Sequence, residues 1–175
     1  VYADLNSNLS DAPKFAGANL KGIKVQADLS GSDFRGADLT GADFHPLEDR
    51  PGEGTLVTLR KNVAKSCDFS GAKLTGANFH EAVLTFSRMP GADLTGAKLF
   101  GEFFGANFTN ARMSGISLAP FSETGFIELL WRSRLDSADL SGADLSRADL
   151  THVSFRFATV KGANLAGAIL RHADL

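Results

Sequence analysis

Large apolar side chains recur along this chain at every fifth residue. From Ala138 it reads ADLSG ADLSR ADLTH VSFRF ATVKG ANLAG AILRH ADL, which places Leu140, Leu145, Leu150, Phe155, Val160, Leu165, Leu170 and Leu175 in one frame. Ala stands two residues before each of them, except at Val153. The same frame holds Leu29, Phe34, Leu39 and Phe44, then Phe69, Leu74, Phe79, Leu84, Met89, Leu94 and Leu99. It slips by one residue to Phe103 and continues through Phe108, Met113 and Leu118. Asp or Asn usually precedes the large residue, Ser, Thr, Lys or Arg follows it, and Gly is common next.

A period of five is neither the strand period of two nor the helical 3.6. A long helix would smear such a stripe around its axis, and a glycine per repeat would cost it about 1 kcal/mol each. The pattern instead predicts a chain that turns a corner every five residues. Ala and the Leu or Phe two positions later point inward, and the residues between make the bend, where Gly, Asp, Asn, Ser and Thr favour tight turns.

Thirteen exact A-(D/N)-(L/F) triplets lie between Ala3 and Leu175, with looser copies in most gaps. In this the chain resembles the pentapeptide-repeat proteins, a family prominent in cyanobacteria, over roughly three-quarters of its length. The resemblance implies an all-β fold, a right-handed quadrilateral β-helix with four pentapeptides per coil. Residues twenty apart then stack in four ladders. With both interruptions looped out whole, Leu29 lies under Phe69, Phe34 under Leu74, Leu39 under Phe79 and Phe44 under Leu84. Leu94, Leu140, Leu145, Leu150, Phe155 and Leu165 continue the same ladders as the structural core.

Two stretches break the frame inside what reads as a single domain over residues 1–175. Residues 46–64, with Pro46, Pro51, Gly52 and Gly54, predict a loop insertion. Residues 119–134 predict a short helical insertion, since Phe126, Leu129 and Leu130 fall at helical spacing after Pro120. The N-terminal part is expected to form an irregular capping coil, with Gly22 to Gln26 out of frame. Leu175 ends the chain without an evident cap, so the reading is either that a cap has been trimmed or that the end is covered by end-to-end or side-by-side self-association. The first residue is Val; a leading signal would send the protein to the periplasm or thylakoid lumen, and its absence would leave it cytoplasmic.

Composition narrows the function. Eighteen basic residues against twenty acidic ones give a net charge of −2, which argues against direct nucleic-acid binding. One cysteine excludes an internal disulfide, and no apolar run is long enough for a membrane span. Cys67 occupies an Ala slot and reads as a small buried residue. His152 and His172, twenty apart, should stack, but no third metal ligand is indicated. The aspartates fill the repeat's own turn slot, so no catalytic constellation is visible and no cofactor is expected. The chain therefore reads as a non-catalytic scaffold with a protein partner. The insertions carry the candidate partner-binding residues Arg60, Lys61, Lys65 and Trp131, because binding concentrates on loops and in Trp and Arg. The alternative, a role associated with some family members, is a DNA mimic that binds DNA gyrase and protects against quinolones. A mimic needs an acidic face, whereas the outward positions read here as alternating charges.

Overall fold

In a computed structural model the chain winds into a solenoid; residues 14–24, 29–44, 64–80, 82–118 and 133–175 are described. The repeat unit explains itself locally. After each large residue the chain makes a four-residue turn closed by a backbone bond, such as Ala37 N–H to the Phe34 carbonyl at 3.0 Å. The third residue of the turn has positive φ, as in Gly36 (63°) and Gly91 (66°), the type II pattern that favours glycine. The Asp or Asn before the large residue accepts the backbone N–H two residues on: Asp38 from Thr40 at 3.3 Å, Asp93 from Thr95 at 3.1 Å and Asp149 from Thr151 at 3.1 Å. This side-chain mimic of a turn is why the slot calls for Asp or Asn. The following Thr hydroxyl donates to the same carboxylate, at 2.7 Å for both Thr40 and Thr95.

One repeat cannot bury its own apolar pair, so coils stack. Each residue before a large one pairs in parallel with its counterpart in the next coil, as in the series Asp68, Arg88, Asn107, Asp139, Thr159. The most extended stretch is β1 (Ala82–Val83), paired in parallel with β2 (Gly101–Glu102). The pairing defines four interior columns. The first holds Phe15, Phe34, Phe69, Met89, Phe108, Leu140 and Val160; the second holds Leu20, Leu39, Leu74, Leu94, Met113, Leu145 and Leu165. The third holds Phe44, Phe79, Leu99, Leu118, Leu150 and Leu170; the fourth holds Leu29, Ala64, Leu84, Phe103, Leu135, Phe155 and Leu175.

This register differs from the expected one below the first insertion. Phe34, not Leu29, lies under Phe69, and Phe44 lies under Phe79, so the first coils move by one whole pentapeptide. The pivot is Ala64, which is not loop: its N–H donates to the Val83 carbonyl at 2.9 Å, and it is buried in the fourth column. Phenylalanine stacking fits the observed register. Phe15, Phe34 and Phe69 stack at 5.0 and 4.8 Å, and Phe44 and Phe79 at 4.6 Å. The offset would place Phe34, Phe44, Phe69 and Phe79 each on a leucine and lose the Phe34–Phe69 and Phe44–Phe79 contacts. The second insertion is likewise two residues shorter than expected, because Ser133 and Arg134 are already in the coil. Gly22 to Lys24 also keep the frame, with Ile23 in the Ala slot and Lys24 paired to Asp43.

The interior is mostly Ala, Leu and Phe. Leu29, Phe34, Leu39, Phe44, Phe69, Leu74, Phe79, Leu84, Leu94, Leu140, Leu145, Leu150 and Phe155 are all buried. Leu165 is 36% exposed, because no described coil lies over it. Three polar slots serve carbonyls: Cys67 Sγ donates to the Leu29 carbonyl at 2.9 Å, Ser87 Oγ to the Ala64 carbonyl at 2.6 Å and Ser133 Oγ to the Leu118 carbonyl at 2.7 Å.

Several aspartates are held ionised by the turn. The side-chain hydrogen bonds and backbone N–H of Arg35 lower the Asp33 pKa to about 2. The Thr40 hydroxyl lowers Asp38, and the Ser141 and Ser146 bonds lower Asp139 and Asp144. Burial pushes Asp93 up, but Thr95 and Arg112 outweigh it. Unfolded, these groups titrate near 3.9. Their contribution is therefore complete above about pH 5 and is lost as pH falls through the lower folded values. Thermal melts are expected to show a constant Tm from about pH 7 to 5 and a decline between about pH 4 and 2. An Asp33→Asn variant should decline less steeply over that range; an unchanged pH profile would count against the turn carboxylates.

Candidate functional site

Among the described residues the regular five-residue step fails only between the third and fourth columns. There the chain takes twenty residues from Phe44 to Ala64, four from Leu99 to Phe103 and seventeen from Leu118 to Leu135. The first coil is one residue short over the same interval, since Lys24 lies on the third face and Leu29 in the fourth column. Both insertions thus leave from one corner, three coils apart, or roughly 14 Å at strand spacing. With residues 46–64 counted wholly as loop, the sequence pattern alone would place the two exits on the two corners flanking the fourth face. His80 and Phe100 stack on this corner between the insertions at 5.2 Å, and His152 and His172 stack above them at 4.9 Å.

The opposite edge of the fourth face, its corner with the first, is unusually aromatic. Phe86 is 57% exposed, Phe104 38% and Phe157 91%. Phe86 packs edge-on against Phe104 at 5.4 Å and covers Gly105. Phe86 and Phe157 both hold positive φ, 59° and 60°, at turn positions that glycine usually fills here. A bulky ring in this conformation is strained, and strain retained at a surface marks function more often than stability. Sequence reasoning missed these three residues because they occupy ordinary bend slots; a Phe in a slot that favours glycine was the available signal.

Lys65 lies on this aromatic corner, exposed, one coil below Phe86, and not on the corner from which the insertions leave. Arg60, Lys61 and Trp131, and the helix expected over 119–134, fall outside the described residues, as does most of the loop over 46–64. Between the two corners, Val83 is only 6% exposed although its slot faces outward.

The outward columns are charge-balanced. Lys73 lies 4.0 Å from Asp38, Arg88 3.6 Å from Asp68 and Arg112 3.6 Å from Asp93, each pair joining adjacent coils. Asp38, not Asp33, stands under Lys73, so the register correction changes the partner but keeps the alternation. The exposed arginine and lysine ends make these pairs weak individually. Collectively they break up an acidic stripe. The least exposed carboxylate, Asp136, accepts from Ser154 Oγ, from Arg134 Nε at 3.1 Å and from the Arg156 N–H at 3.2 Å. Among the described residues no group of three or more His, Cys, Asp or Glu is placed to hold a metal, and no helix is long and apolar enough to cross a membrane.

The sequence has no significant match among curated proteins. In solved structures it is similar to HetL, a pentapeptide repeat protein involved in heterocyst differentiation regulation from the cyanobacterium Nostoc sp. strain PCC 7120. The identity is 28% over 94% of this chain and 71% of that one, with a TM-score of 0.49. It is similar to Rfr23 of the cyanobacterium Cyanothece 51142 at 19% identity, over 81% of this chain and 90% of that one, with a TM-score of 0.45. QnrB1, a plasmid-mediated fluoroquinolone resistance protein, matches at 21% identity over 90% of this chain and 88% of that one, with a TM-score of 0.29. The family description of pentapeptide repeats matches in eight copies over residues 25–45, 65–99, 130–165 and 148–175, more than half of the sequence. With the five-residue frame, the Asx-capped turns and the stacked coils, this places the chain in the pentapeptide repeat family, a β-helical solenoid.

Proposed function

We propose that this protein is a non-catalytic scaffold that binds a protein partner through its fourth face. In this reading the coil is right-handed and quadrilateral, and residues 1–175 form one domain. A loop follows Phe44, and a short helical segment follows Leu118. The observation that carries the proposal is the confinement of every break in the repeat to one corner. A solenoid accepts insertions at any corner, and two long insertions and two one-residue shortenings on the same one describe a side reserved for something other than coil stability. The exposed aromatics Phe86, Phe104 and Phe157, the first and last of them in strained turns, line the other edge of that face, and aromatic side chains are enriched where partners bind. Arg60, Lys61, Lys65 and Trp131 are the candidate contacts in and beside the insertions.

The test is a variant in which residues 45–63 are replaced by a four-residue Ser-Gly-Ala-Asp corner and residues 119–132 by Ser-Gly, which restores the five-residue step at both places. Its coils should remain folded, with Tm within a few degrees of the parent, because stability comes from nearest-neighbour stacking. A partner that co-purifies with the parent chain should lose at least about tenfold in affinity, or 1.4 kcal/mol. Undiminished binding by the folded variant would refute the proposal. A gyrase supercoiling assay on the parent chain separates the DNA-mimic reading, for which the alternating charges of the second face provide no acidic stripe; no inhibition is expected.

A further inference from the structure

We propose that His152 and His172 form a two-imidazole chelating site for a borderline divalent cation, zinc(II) or copper(II). The two rings lie on adjacent coils of the corner from which the insertions leave, with centroids 4.9 Å apart and planes 14° from parallel. Both residues occupy the same turn position with nearly the same backbone, φ 62° and 54°, so their side chains leave the coil in parallel. The pairs Asp149–Ile169 on one side and Ser154–Asp174 on the other fix their register, and the His152 N–H donates to the Arg171 carbonyl at 2.8 Å. The scaffold thus supplies what a flexible chain lacks, two imidazoles already side by side.

Imidazole nitrogens bind zinc and copper at about 2.0–2.1 Å, so two of them on one tetrahedral ion stand about 3.4 Å apart. Rotation of two stacked rings about their Cβ–Cγ bonds brings one nitrogen of each toward that separation without moving the backbone. Imidazole also selects this class of ion over magnesium or calcium, which prefer oxygen. The neighbouring carboxylates are engaged elsewhere: Asp149 accepts from the Thr151 hydroxyl at 2.6 Å, and Asp174 from Arg156 Nε at 2.7 Å. Water or a side chain of a bound molecule would complete the coordination. The second insertion leaves the coil directly beneath His152, between Leu118 and Ser133. The proposal does not depend on the partner reading.

Calorimetric titration of the full chain with zinc chloride and with copper(II) chloride, in a non-coordinating buffer near neutral pH, tests it. One equivalent should bind with micromolar affinity, copper(II) the tighter of the two. The copper(II) electron paramagnetic resonance spectrum should show coupling to two imidazole nitrogens. His152→Gly and His172→Gly suit positions of positive φ, so each variant should keep its Tm. Each should also lose at least about tenfold in affinity, with coupling to one nitrogen. His80→Ala, on the same corner, should bind like the parent chain. Saturable one-to-one binding that survives in the folded double glycine variant would overturn the proposal, as would the absence of saturable binding by the parent chain.

Discussion

Leu94→Asp is expected to unfold the protein, whereas Leu165→Asp, in the same column and with the same chemistry, should leave it folded. Leu94 is fully buried in the fourth coil between Leu74 and Met113. The change removes a core leucine, worth about 2–5 kcal/mol, and leaves an unpaired carboxylate in an apolar shaft for several more. That total matches the whole stability of an ordinary domain, roughly 5–15 kcal/mol. Coils lie on both sides of Leu94, so fraying from an end cannot release the charge without melting half the solenoid. At Leu165, 36% exposed in the last described coil, the carboxylate reaches water at little cost. Urea titration of both variants reads the difference. Equal midpoints would refute the assignment of Leu94 to the interior.

Gly101→Ala should destabilise by about 2–3 kcal/mol, the upper part of the usual range for overpacking. Gly101 lies in β2, where its backbone approaches β1 so closely that an added Cβ would collide with the Ala82 carbonyl oxygen and sit 3.4 Å from its carbon and nitrogen. The obstacle is backbone, so no side chain can swing aside. Its φ is not left-handed, and the effect is therefore steric. Gly91→Ala is the matched control. Its φ is 66° and nothing lies within 4 Å of the added methyl, so only the left-handed strain of about 1–2 kcal/mol applies. A Tm for Gly101→Ala no lower than that of Gly91→Ala would contradict the close approach. The chain is shortened at this point, four residues from Leu99 to Phe103, and the close approach accompanies that shortening.

The candidate site was only partly legible. That the insertions exist, and which residues flank them, followed from the broken frame. That they share a corner did not, because the corner depends on counting Ala64 as an interior residue, and an alanine without a large neighbour two positions on gives no apolar signal. Phe86, Phe104 and Phe157 were missed for a different reason. They stand in bend slots, and a five-residue pattern says which residues bend but not which bends are aromatic edges of one face. Cys67 and the stacking of His152 on His172 were readable, since both follow from the repeat phase alone.

The sequence by itself determined the repeat, the inward phase of Leu, Phe and Ala, and the turn chemistry of Asp, Ser and Gly, because each is a local requirement that recurs in every unit. The stacking register of the first coils was decided only by the tertiary structure. A shift by one residue would turn every core side chain toward water. A shift by one whole pentapeptide keeps every one of them inside, so the apolar pattern cannot detect it. What distinguishes the two arrangements is contact between coils: Phe34 on Phe69, Phe44 on Phe79 and Ala64 beneath Leu84, long-range packing that exists only once the coils are stacked.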